Sequence, residues 1–311
     1  PRVFIISPSR KIVPAAFLVA TSRSEMSDSP LTIGIDFGGT TVKTGVVFQS
    51  HIIDLAPPIA TQDFQSQEEL IEAMVRVVED LRTRHPGVAA VGVGMPGFVN
   101  FEKGLIYNLT NVEGWESVPL KQILEAKLGL PVIVDNDANC MAYAEWKCGA
   151  GRGFQHVVFI SLGTGVGGAI IANGQMIRGA RHGAGEVGQS SIDWQGRRGH
   201  YGNLGALEEY VGNGEIAASA RESYLAAGIE KPLEECTPAA LAAAAHRGDA
   251  IAQATWEHTG ELLFKPFKEH LFSQLSGPFK EHLMVLNAVF GHEAGTIGAA
   301  ALARDSLVST G

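Results

Sequence analysis

"LTIGIDFGG" (31–39) runs directly into "TVKTGVVF" (41–48), and about one domain later "HVVFISLGTGVGGAIIANGQ" (156–175) repeats the plan. Each is an apolar, β-branched strand that enters a glycine turn and leaves as a second strand. Two such units at matching places predict a duplicated α/β chain of two lobes with an active-site cleft between them. Outward from the first unit, "SQEELIEAMVRVVEDLRTRHPG" (66–87) reads as a helix. Ser66 and Glu69 form its capping box, Leu70, Met74, Val77, Val78 and Leu81 share a face, and His85-Pro86-Gly87 ends it. "VAAVGVGMPG" (88–97) is a strand into a tight turn, and "LPVIVDND" (130–137) is a strand ending in carboxylates. "ANCMAYAEWKCGAG" (138–151) is then a helix with a glycine stop. Residues 213–264 are helical and alanine-rich, with "TPAALAAAAHRGD" (237–249) a capped helix, and "EAGTIGAAALARD" (293–305) is a closing helix.

The totals set bounds on what this chain does. Its 311 residues, 45% hydrophobic and 18% charged, suit two globular domains rather than a disordered chain. A net charge of −9 without a Lys/Arg run excludes a nucleic-acid surface as the main business. Cys140, Cys148 and Cys236 form no CxxC pair, which fits a reducing, cytoplasmic setting and argues against a disulfide framework or a thiolate zinc site. Cys140 and Cys148 fall in an apolar helical run and read as buried thiols. "KIVPAAFLVATSRS" (11–24) faintly resembles an export signal, but Pro14 breaks the apolar run, which is too short to span a membrane. Residues 1–30 therefore read as a disordered or non-native extension, with the protein proper starting near Met26. The expected lobes are 31–135 plus 292–308 (small, N-terminal) and 136–291 (larger, C-terminal).

Two glycine turns and one aspartate carry the chemistry. In "DFGGT" the N–H groups of Gly38, Gly39 and Thr40 can line an anion nest beside Lys43, and Asp36 at the strand end is placed to hold magnesium. "GTGVGG" (163–168) is a second nest, with Gly163 and Gly165 shaping it and Thr164 adding a hydroxyl. A strand follows each turn, so neither is a dinucleotide fingerprint, and no G-K-[ST] makes either a Walker A loop. Taken singly, each could be a plain glycine turn; as a matched pair they point to phosphate. Asp137 in "DNDAN" suits a carboxylate that accepts a proton in phosphoryl transfer, and Asn136 can bind a polyol, while Asn139 supports the turn. A simple helix N-cap is the alternative there.

"GIDFGGTTVK", "GVGMPGFV", "NLTNVEGW", "VDNDAN", "ISLGTGVGGAI", "GAGEVG", "GALEEY" and "AGTIGAA" occur in the order seen in the ROK family. The chain therefore resembles those bacterial sugar kinases and related repressors, built on the duplicated actin-like (ribonuclease H-like), hexokinase-type ATPase fold, over about 31–256 and 291–305. The glucokinases look most similar. The resemblance implies Asp137 as catalytic base and Asp36 as the Mg2+-side carboxylate. It assigns Gly38, Gly39, Thr40, Lys43, Gly163, Thr164 and Gly165 to the donor phosphates. Gly97, Asn111, Asn136, Asp137, Glu186 and Glu208 would meet the sugar. ATP is then the co-substrate and glucose the hexose, phosphorylated at its 6-hydroxyl. Homodimers or homotetramers are common in that family.

Three departures stand out. The family's zinc loop, a histidine after "GE-x-G" and three cysteines, is replaced here by Gln189, Gly199, Tyr201 and Ala206. The chain thus reads as a zinc-free branch, with Gln189 taking the histidine's place at the sugar and Tyr201 and Leu207 as the loop's expected anchors. "FKPFKEHLFSQLSGPFKEHLMVLNAVF" (264–290) repeats "PFKEHL" and lacks the paired glycines expected to grip adenosine, which reads either as a deletion or upstream sequence error, or as a divergent helix pair. Only about 30 residues precede "GIDFGGT", too few for the winged helix of the repressors. The expected activity is thus hexose phosphorylation, with no nucleic-acid or membrane partner. Alternatives are a hexose-binding protein without nucleotide grip, a kinase for fructose, mannose or an N-acetylhexosamine, and a polyphosphate-dependent glucokinase.

Overall fold

The computed structural model describes residues 3–8, 29–38, 40–64, 66–109, 114–265 and 283–308. Val3–Pro8 forms β1, where the sequence reading sets residues 1–30 apart as an extension. "VFIISP" has the β-branched, apolar character of a strand, and it finds a place in a sheet. Leu31–Phe37 (β2), buried on both faces, turns into Thr41–Phe48 (β3) and His51–Leu55 (β4), and Ile59–Ala60 (β5) pairs back on β3. Gln67–Arg84 (α1) starts where expected, since the Ser66 hydroxyl accepts the Glu69 N–H at 3.2 Å. Leu70, Met74, Val78 and Leu81 are fully buried on its inner face.

Val88–Met95 (β6) follows, then a small sheet of Val99–Asn100 (β7), Leu105–Asn108 (β8) and Glu116–Val118 (β9). Leu120–Leu128 (α2), Val132–Asn136 (β10) and Asp137–Lys147 (α3) complete the first half. Its main sheet has the order β10-β6-β2-β3-β4. The β2-β3-β4 meander is antiparallel, and β6 and β10 join parallel to β2. The second unit supplies Val157–Leu162 (β11), Val166–Ala172 (β12) and Gln175–Ile177 (β13). Glu208–Val211 (α4), Asn213–Ala226 (α5), Pro238–His246 (α6) and Ala250–Lys265 (α7) come next. Leu283–Asn287 (β14) and Ala294–Val308 (α8) close the chain. The second sheet has the order β13-β12-β11-β1-β14. The repeat "PFKEHL" of the sequence reading lies almost wholly outside the described residues. Among those described, no helix is long and apolar enough to cross a membrane.

Two compact units result. One comprises Pro1–Ser9, Phe159–Gly168 and Gly185–Val285; the other comprises Arg10–Val158, Ala169–Ala184 and Leu286–Gly311. This division differs from the lobe boundaries read from the sequence, because α3 packs on α8 and stays with the first sheet. In that sheet unit, Ile33, Ile35, Val46, Val91, Val93, Leu124 and Val134 join the α1 face in one core. In the helical unit, Ile216, Ala220, Tyr224, Leu241 and Ala252 form another.

Helix α8 lies directly on the strands. A Cβ on Gly34 would strike the Thr296 carbonyl, one on Gly92 the Ala299 carbonyl, and one on Gly298 the Cys140 carbonyl. Gly34 and Gly92 are register partners on adjacent strands, so together they form a side-chain-free seat for the helix backbone. Gly34→Ala and Gly92→Ala each force an overpacked seam and should cost about 3 kcal/mol. Gly260→Ala in α7, where a Cβ meets nothing within 4 Å, should instead gain ~0.5–1 kcal/mol. Urea unfolding midpoints of the three variants measure both signs.

Candidate active site

In the sheet unit, the first glycine turn is closed by the Gly38 N–H donating to the Thr41 carbonyl at 2.8 Å. Asp36, next to last in β2, stands opposite Lys43 on β3, so the hairpin register alone sets a carboxylate beside an ammonium. Asp36 is 6% exposed, and its carboxylate lies against the first turn of α8, where Gly295 leaves no room for a Cβ. Burial raises its pKa, and the Lys43 charge partly offsets that rise. Thr40 is exposed, and its carbonyl accepts the Thr61 N–H at 3.0 Å. Gly39 and Asn111 lie outside the described residues.

Asp137 is the first residue of α3 and half-buried, with its Oδ1 accepting the Ala138 N–H at 2.8 Å. Asn136 is the helix cap, accepting the Asn139 N–H at 3.1 Å, and its side-chain amide donates to the Gly97 carbonyl at 3.0 Å. The N-cap reading of "DNDAN" and the polar-site reading thus describe the same residues, and Gly97, Asn136 and Asp137 do come together. Behind them lies an ion pair absent from the sequence reading. Asp135, 1% exposed, accepts the Asn136 N–H and the Asn139 amide on Oδ1, and the Arg178 guanidinium on Oδ2 at 2.6 and 3.0 Å. An aspartate inside an apolar strand such as "VIVD" demands a partner, which was the available signal. Cys140, fully buried, has its thiol pushed well above the usual range by burial first, then by Asp135, Asp137 and Asp36.

In the helical unit, Glu208 begins α4 and reaches back to the second glycine turn. Its Oε2 accepts the Val166 N–H at 2.9 Å, in the space a Gly165 Cβ would fill. The Gly163 N–H donates to the Gly165 carbonyl at 2.9 Å, so two of this turn's amides serve internal bonds and not an anion. Thr164 shares the turn, and its carbonyl lies near Gly212. Gln189 donates its amide to Glu208 Oε1 at 3.2 Å. Glu186 is exposed as a residue, yet burial of its carboxyl and then the Glu208 charge raise its pKa. Glu186, Gln189 and Glu208, the residues expected on the sugar side, therefore form one carboxylate–amide cluster.

The loop between them is tied by hydrogen bonds. Asn203 donates to the Gln189 carbonyl at 2.9 Å, Gly199 N–H to the Asn203 carbonyl at 2.7 Å, and Arg197 N–H to the Tyr210 hydroxyl at 3.1 Å. Arg197 also donates to the Glu209 carbonyl at 3.0 Å and pairs with Glu215 at 2.6 Å. Leu207, 1% exposed, anchors as expected. Tyr201 does not: it is 63% exposed, and the tyrosine hydroxyl bonded within the loop is that of Tyr210, which accepts the Arg197 N–H. Among the described residues, no three His, Cys, Asp or Glu side chains converge to hold a metal.

The ROK family profile matches residues 32–265, and the chain belongs to the ROK family. A glucokinase of Streptomyces coelicolor is 36% identical over 192 residues, covering 62% of this chain and 59% of that protein. A putative xylose repressor of Caldicellulosiruptor sp. is 32% identical over 185 residues, covering 58% of this chain and 46% of the relative. The chain thus spans less than two thirds of the length of these curated relatives. Among solved structures, a ROK family glucokinase from Streptomyces griseus, in complex with glucose and AMPPNP, superposes with a TM-score of 0.73 at 28% identity. That likeness covers 88% of this chain and 99% of the other. The duplicated actin-like ATPase fold implied by the family resemblance is the fold of this chain.

Tyr210→Phe removes the hydroxyl that receives the Arg197 amide and should cost ~1 kcal/mol. Limited proteolysis should then cut first within residues 193–204, read by mass spectrometry of the fragments.

Proposed function

We propose that this chain is a hexose kinase that transfers the terminal phosphoryl group of MgATP to the 6-hydroxyl of glucose. The observation that carries this reading is Asp137, a half-buried carboxylate at a helix start, held in place by the capping Asn136 and by Asp135, in a chain of this family. In the proposed reaction the Asp137 carboxylate accepts the 6-hydroxyl proton as that oxygen attacks the γ-phosphorus. The new O–P bond forms while the bond to the β–γ bridging oxygen breaks, and ADP leaves with that electron pair. In this reading Lys43 and the turn at Gly38–Thr40, apart from the Gly38 amide committed to Thr41, take phosphate charge, and in the second turn of Gly163, Thr164 and Gly165 the Thr164 hydroxyl and the amides not already bonded do so. Gly97, Asn111, Asn136, Glu186, Gln189 and Glu208 receive the sugar.

Asp36 suits magnesium. The ion takes hard oxygen ligands and is commonly bound through one or two carboxylates with phosphate oxygens and waters completing its shell, and Asp36 offers one such carboxylate beside Lys43. When bound, the ion neutralises charge on the transferring phosphoryl group. The free cysteines fit a cytoplasmic enzyme, and homodimers or homotetramers suit the family.

The test is a coupled assay over a hexose panel (glucose, fructose, mannose and N-acetylhexosamines), with MgATP and with polyphosphate as donors. Glucose with MgATP should turn over, and Asp137→Asn should lower kcat by ~10³-fold, within the usual range for a lost general base. No turnover with any pair, together with xylose-dependent DNA binding, would move the chain to the repressor side of its relatives. A pH profile tests the sugar cluster. Glu186 is a charge-assisted acceptor of hydroxyl protons on both oxygens only when ionised, and its pKa is raised. The KM for glucose should therefore climb as pH falls through that raised value, and Glu186→Gln should flatten that limb while raising KM by ~10-fold or more.

A further inference from the structure

We propose that Arg178, from the loop after β13, is a positioning residue for Asp137, acting through Asp135. The kinetic part of this inference rests on the kinase reading. Asp135 is sealed from water, and both of its oxygens are doubly occupied. Oδ1 accepts the Asn136 N–H at 2.8 Å and the Asn139 side-chain amide at 2.9 Å. These donors flank Asp137, one on the residue before it and one on the residue two places after. Oδ2 accepts Nε of Arg178 at 3.0 Å and Nη2 at 2.6 Å. The Asn139 amide is committed to this carboxylate: its own Oδ1 is buried with no hydrogen-bond partner among the described residues.

Arg178 supplies the counter-charge that a carboxylate sealed from water requires. Its side chain is 17% exposed, and its guanidinium lies over the Phe101 ring at 3.6 Å, which fixes the plane of the fork. The Arg178 carbonyl accepts the Ala184 N–H at 3.0 Å, so the loop that carries it is folded back on itself. A rigid cation thus orients Asp135, Asp135 orients the residues on both sides of Asp137, and the Asn136 cap ties the same turn to Gly97. A lysine could supply the charge but neither the two-nitrogen contact nor the flat stacking surface. Misplacement of a reacting group by about 1 Å is enough to cost ~10²-fold in rate.

The experiment compares wild type with Arg178→Lys, Arg178→Met, Asp135→Asn and the double variant Asp135→Asn/Arg178→Met. Glucose and MgATP kinetics and urea midpoints are measured for each. Arg178→Lys and Arg178→Met should lower kcat by 10- to 100-fold with a smaller change in the KM for glucose. The double variant carries no lone buried charge, so its urea midpoint should recover towards wild type while kcat stays low. Recovery of kcat together with the midpoint, or a kcat in Arg178→Met within threefold of wild type, would overturn the inference. Amide hydrogen exchange keeps it testable if wild type itself shows no turnover, which would sink the kinase reading alone. Arg178→Met should speed exchange at residues 137–140 while β2 and β6 keep their protection. Unchanged exchange at 137–140, or a uniform rise across the sheet unit, counts against it.

Discussion

The sheet unit depends on the docking of a helix backbone onto strand backbone with no side chains in between. Gly34 and Gly92 stand side by side on β2 and β6, and the carbonyls of Thr296 and Ala299 occupy the space their side chains would need. Gly298 gives the Cys140 carbonyl of α3 the same freedom on the helix's other side. Interiors pack at crystal-like density, so a seam this close has one solution and little tolerance. Asp36 rests on the first turn of α8 beside Gly295, and Gly94 places Cys140 and the Asp137 backbone against β6. Of the two carboxylates proposed for metal and base, Asp36 is thereby set by α8 and Asp137 by the packing of α3 on β6.

Buried charge is handled in this unit by saturating it with donors. Asp135 receives four, from its neighbours and Arg178. Glu145, fully buried on α3, receives the Ala150 N–H at 3.0 Å and those of Val289 and Phe290 at 2.8 Å each. That carboxylate fastens the approach to α8 onto α3, so the turn after β14 is tied by charge-assisted hydrogen bonds where no apolar side chain could reach its amides. In the helical unit, Glu208 does the same for the Val166 amide while its second oxygen faces Gln189. Gly165 of the second turn is thus required by a carboxylate, a use that its residue type alone does not distinguish from the proposed phosphate turn.

Local rules were readable wherever neighbours in sequence are neighbours in space. The Ser66 cap, the buried stripe of α1, the β2–β3 hairpin and the Asn136 cap all follow from spacings of one to four residues. The loop at 189–210 was readable as a place without cysteines, but its hold was not. Tyr201 and Leu207 are the anchors expected from the sequence, and only the fold shows Tyr201 in solvent and Tyr210 bonded to Arg197 instead.

In the sequence by itself, periodicity, capping and motif order were enough for the main elements of the duplicated α/β plan, the family and the candidate base, but not for the strand at Val3–Pro8 or the small sheet of β7, β8 and β9. Only the folded chain shows which glycines are seats for another backbone, which acids are structural, and that Arg178 pairs with Asp135. The physical reason is distance along the chain. Gly34 meets Thr296, Glu145 meets Val289 and Asp135 meets Arg178, and no local pattern constrains partners so far apart. Strand VIVD announces that a buried charge needs a partner; the closing of loop onto strand decides which residue that is.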